Sequence, residues 1–90
     1  MALFSADEVK KLLSDTLEKH AEVDLLVVAH VFVQQKIVRE LIEKQKYSEE
    51  NAKREGNRIQ PEIEVQLLAL AKDLERQGKL KLDFKVTRLN

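Results

Sequence analysis

From Lys79 to Thr87 the chain alternates polar and apolar residues without a miss. Leu80, Leu82, Phe84 and Val86 fall on one face, and Lys79, Lys81, Asp83, Lys85 and Thr87 on the other. A period of two is that of a strand with one buried face. Everything upstream follows the helical period instead. Ser5 with Glu8 three residues later forms a capping-box pattern, and Phe4 and Val9 stand where a hydrophobic staple belongs, so a first helix starts there. Val9, Leu12, Leu13 and Leu17 give it one apolar stripe, and it is expected to stop near His20.

A second helix is expected from Glu22 or Asp24, whose carboxylates suit a helix amino terminus, and no Gly or Pro interrupts the chain before Gly56. Its first half is apolar almost all round. Leu25, Leu26, Val28, Val31, Phe32, Ile37, Val38, Leu41 and Ile42 are therefore expected at the centre of the core. A buried strand over 25–33 is the competing reading, because valine is abundant there. Between Glu43 and Arg58 only Tyr47 and Ala52 are apolar, so 43–58 is expected to be an exposed polar helix extension or loop. Glu49 with Lys53 and Glu50 with Arg54 are ordered to support a helix. Ser48 followed by two glutamates could also cap a fresh helix after a kink near Tyr47.

Gly56 and Asn57 read as a helix stop and turn, and Pro61 as the first-turn proline of a third helix that Gly78 closes. Ile63, Leu67, Leu70, Ala71 and Leu74 make its stripe, which Val65, Leu68 and Ala69 widen enough to suggest a contact on a second side. The expected architecture is mainly α: a short, a long central and a medium helix in one domain over 1–90, with a carboxyl-terminal strand over 79–89. A lone strand cannot satisfy its own backbone groups, so this one is expected to pair between chains. The expected interface is Leu67, Leu70 and Leu74 on the last helix and Leu80, Leu82, Phe84 and Val86 on the strand. A homodimer or larger oligomer follows, with another protein as a further partner.

Ninety residues form one small domain, which buries only about 60% of the surface its unfolded chain exposes. Sixteen basic and sixteen acidic residues cancel, leaving no overall field to draw the chain to nucleic acid or an anionic membrane. The absence of cysteine excludes disulfides and thiolate metal sites. The run Val23 to Val33 is about half the roughly 20 residues of a membrane span, so it is expected in the core. No basic segment leads into an apolar stretch at the amino terminus, and an intracellular, cytoplasmic location is expected.

Candidate chemistry is sparse. His20 and His30, with Glu18, Glu22 or Asp24, are the only imidazole-based metal candidates, and their spacing matches no compact motif. His20 is expected to complement the end of the first helix, and His30 to be an interior histidine with one hydrogen-bond partner. Ser5 and Ser48 read as caps, and Ser14 has no histidine at helical spacing. Two glycines cannot build a phosphate loop, and Glu49 and Glu50 lie in a charged run. Neither catalysis nor a cofactor is expected. The basic residues Lys44, Lys46, Lys53, Arg54 and Arg58 are interleaved with Glu43, Glu49, Glu50 and Glu55, which cancel much of their field.

Ala52-Lys53-Arg54 near the end of a long helix, followed by Ile59-Gln60-Pro61 opening the next, resembles the second half of a histone fold. Leu74 to Phe84 (LERQGKLKLDF) is similar to the end of a core histone. The resemblance implies head-to-tail pairing with a like partner, and Lys53, Arg54 and Arg58 facing DNA phosphate. The chain departs from that pattern in its short first loop, its long central helix, the extra residues around Gly56 and the closing strand. The function expected from the residues is that of a non-catalytic adaptor or assembly subunit, with a histone-like, DNA-associated dimer as the alternative.

Overall fold

The structure is a computed structural model that describes residues 4–83 and 85–89. Helix α1 (Ala6–Lys19) begins where its capping box places it. Ser5 Oγ accepts the Glu8 N–H and Glu8 Oε1 accepts the Ser5 N–H, each at 3.2 Å. Val9, Leu13 and Leu17 are buried and Phe4 packs against the same core. Burying each of these aliphatic side chains contributes about 1.5–3 kcal/mol. The helix ends as His20 turns extended.

Strand β1 (Glu22–Val23) follows, and Asp24 Oδ1 accepts the Leu26 N–H at 3.0 Å to cap α2 (Leu25–Phe32). This helix continues into a π-helical segment (Val33–Val38) and then α3 (Arg39–Glu43), forming one rod over 25–43. The apolar run is thus helix and not strand. Of the residues expected at its centre, Phe32, Ile37, Val38 and Leu41 are buried, and Leu25, Val28 and Ile42 are half-buried. Leu26 and Val31 are instead 60% and 41% exposed, and Ala29 and Val33 take buried places. A helix that is apolar all round buries only the faces that neighbours reach, and the outward side of this one is left bare.

The rod stops earlier than its lack of breakers suggests. Lys46 takes a left-handed conformation at φ 60°, and the Tyr47 N–H reaches back to the Leu41 carbonyl at 2.9 Å. Ser48 then caps α4 (Glu49–Arg76), accepting the Asn51 N–H at 3.2 Å, so the fresh-helix reading of Ser48 is the one realised. The 28-residue α4 is the longest helix and passes through both Gly56 and Pro61. The stop at Gly56 and the helix start at Pro61 are therefore corrected.

Packing explains both. Ala52, Gly56, Ile59, Ile63, Leu67 and Ala71 form one unbroken buried stripe on α4. Gly56 lies where α4 presses on the π-helical segment: a Cβ there would stand 2.8 Å from Val38 Cγ2 and 2.9 Å from Val33 Cγ1. The wider π turn brings residues five apart towards one side, and Val33 and Val38 close over the glycine together. Pro61 and Asn57 are both exposed, so the carbonyl that loses its helical donor belongs to the solvent side of the helix.

Gly78, at φ 76°, ends α4 as expected. The Lys79 N–H reaches the Leu74 carbonyl and the Gly78 N–H the Glu75 carbonyl, each at 3.0 Å, which is a Schellman closure. The alternating segment does not run as one strand. It folds into β2 (Leu80–Leu82) and β3 (Val86–Arg88), which pair antiparallel with Leu82 opposite Val86. On its other side β3 pairs antiparallel with β1, Val23 opposite Val86, giving the sheet order β1-β3-β2. Each side of β3 thus has a strand partner within the chain. Leu80, Val86 and Val23 all point into the core, so the hairpin closes one end of the helical unit.

A candidate protein interface

The residues expected at an interface divide by burial. Leu67, Leu80 and Val86 are buried in the chain's own core, and Leu70, Leu74 and Leu82 are half-buried against it. Phe84 lies outside the described residues. The free side of β2 is also partly occupied, since the Leu82 N–H donates to Glu75 Oε2 at 2.8 Å. An edge amide already held by a carboxylate is a poor template for an added strand. Further contacts pin the hairpin to the body: Arg88 Nη1 donates to the Leu17 carbonyl at 2.6 Å, and Lys85 Nζ lies 3.2 Å from Glu22 Oε1.

The exposed apolar surface is elsewhere. Leu26 and Val27 on α2 are 60% and 57% exposed, and Val65 and Leu68 on α4 are 67% and 40% exposed. Leu26, Val65 and Leu68 line a groove of about 470 Å³ between the start of α2, the middle of α4 and the hairpin. Leu82 and Val86 of the hairpin line it as well. Val27 and Val31 line a second groove of about 340 Å³ on the other flank of α2, against Leu12 and Val23. The start of α2 is therefore an apolar ridge between two concavities. Val65 and Leu68 carried a signal in the sequence, as the residues that over-widen the α4 stripe. Val27 carried none, because in an all-apolar run nothing local marks which side lacks a neighbour.

The remaining candidates are placed as follows. His20 is exposed at the end of α1. His30 is exposed too, not interior as expected, and its Nδ1 lies 3.3 Å from Gln60 Oε1. That contact ties α2 to α4, and within α4 Gln60 Nε2 donates to Glu64 Oε2 at 3.1 Å. Among the described residues no group of three or more His, Cys, Asp or Glu is arranged to hold a metal. Ser5 and Ser48 are caps and Ser14 is exposed. No helix among the described residues is long and apolar enough to cross a membrane.

The basic residues in the first half of α4, Lys53, Arg54 and Arg58, are each matched to a carboxylate one turn away. Lys53 Nζ lies 3.0 Å from Glu49, Arg54 Nη2 3.4 Å from Glu50, and Arg58 Nε 2.8 Å from Glu55. The Arg58 hydrogen bond holds the Glu55 carboxyl below its ordinary value, with slight burial pushing the other way and the Arg58 charge adding a smaller pull. These residues also sit in the first turns of α4 and not at the end of a long central helix. The histone-like break between Arg54 and Pro61 is absent, since both lie within one continuous helix. Comparison with known protein families, curated proteins and solved structures finds no match.

Proposed function

We propose that the chain is a non-catalytic adaptor or assembly subunit that acts by binding a protein, a second copy or a different chain, through the apolar ridge of α2 and the facing side of α4. The observation that carries this reading is the cluster of Leu26, Val27, Val65 and Leu68, all at least 40% exposed and set along concave surface. Isolated exposed aliphatic residues are ordinary, but clustered ones rimmed by polar groups mark interaction sites. The hairpin serves this role indirectly by forming one wall of the larger groove.

The test is the solution mass of the full chain by light scattering over a concentration series, beside Val27→Glu and Leu68→Glu. Association through this face gives an oligomer that persists in high salt and that either substitution dissociates. An oligomer unmoved by both substitutions would refute the assigned surface. A monomer throughout would remove self-association and leave only a different partner.

A further inference from the structure

We infer that the groove between α2, α4 and the hairpin is built for an amphipathic helical segment of another protein, with apolar anchors flanked by lysine or arginine. This deepens the proposed function and rests on it. Leu26, Val65, Leu68 and Leu82 give the groove an apolar lining from all three elements that form it. The charged groups lining the same groove are Asp24, Glu64, Asp83 and Lys85. Three carboxylates thus stand against one ammonium, and that ammonium is already paired with Glu22. In a chain whose overall charge is zero, this rim is locally acidic.

The sign of the rim selects the occupant. A two-fold contact between copies sets the patch of one against the same patch of the other, which would bring the acidic set Asp24, Glu64 and Asp83 of each copy towards that of the other. Like charges set face to face disfavour that arrangement, whereas a basic flank is attracted and steered in. The backbone favours a helix over a strand. The neighbouring β2 edge has its Leu82 amide held by Glu75, and β1 is only two residues long. A helix laid in a groove needs no edge and presents anchors at i, i+3, i+4 and i+7.

The probe is a synthetic amphipathic peptide of about 18 residues, roughly five helical turns, with a leucine stripe flanked by lysines. Two controls accompany it: the same stripe flanked by glutamates, and the lysine peptide with serines in place of the stripe. Binding to the full chain is read by fluorescence anisotropy, and the surface by amide shift changes around Val65 and Leu68. The lysine peptide should bind at least about tenfold more tightly than the glutamate peptide in low salt, with the gap narrowing as salt rises. Glu64→Gln with Asp83→Asn should close that gap, while Val65→Ser with Leu68→Ser should weaken both leucine peptides. Equal binding of the two leucine peptides at Val65 and Leu68 would overturn the charge selection and leave the proposed function standing. Equal binding of the serine control would reduce the effect to bulk charge attraction and overturn the groove. Binding by neither leucine peptide overturns the inference, while the mass series tests self-association through the same face separately.

Discussion

At Gly56 the missing side chain matters more than the flexible backbone. An added methyl would meet Val38 Cγ2 at 2.8 Å and Val33 Cγ1 at 2.9 Å, and neither stiff valine can swing away at no cost. Gly56→Ala should therefore lower stability by up to about 2 kcal/mol, from over-packing of about 1–3 kcal/mol against a helix-propensity gain of about 1 kcal/mol. Denaturant unfolding measures it, and a stabilised variant would show that the two helices separate easily. Pro61 is the opposite case. It sits exposed inside α4 and withholds one helical hydrogen bond, so Pro61→Ala should raise stability, by up to about 3 kcal/mol. A lower urea midpoint for that variant would mean that the shape Pro61 imposes on α4 is needed for packing.

The elements hold one another through a few long-range ties. Glu8 uses one carboxylate oxygen in the α1 capping box and the other to meet Lys36, whose ammonium also stands 5.6 Å from the Phe32 ring centre. That pair fastens the start of α1 to the π-helical segment against which Gly56 packs. At the other end the hairpin places Leu80 and Val86, at 1% and 0% exposure, under the helices. Removing a buried aliphatic residue commonly costs about 2–5 kcal/mol. A chain ending at Gly78 loses both, together with the partner of β1. It should lose its cooperative thermal transition, read by circular dichroism. A folded truncation would show instead that the hairpin is an appendage, reopening it as an assembly element.

On the scale of the whole molecule, an elongated body of 43 × 20 × 19 Å has too few elements to cover every side of α2. The uncovered side is the proposed interface. Because Val65 and Leu68 are exposed, their substitution should shift stability by no more than about 0.5 kcal/mol, while the binding described above changes. Stability loss matching the binding loss would mean that these residues serve the fold instead.

What the sequence determined by itself is what short-range physics controls. The Ser5–Glu8 box, the Gly78 closure and the Glu49–Lys53 and Glu50–Arg54 pairs of α4 involve residues three to five apart, so local order contains them, whereas the Asp24 and Ser48 caps stood there as one of two readings each. The mainly helical character and the alternating tail were legible for the same reason. The tertiary structure alone decided what depends on distant partners. It made Gly56 a crossing point and not a stop, because Val33 and Val38 stand opposite it. It carried α4 through Pro61, because Ile59 and Ile63 are buried on either side. It paired Val23 with Val86 and so folded the tail back onto its own chain. It also chose which residues of an all-apolar helix remain bare, since exposure belongs to the arrangement of neighbours and not to the residue.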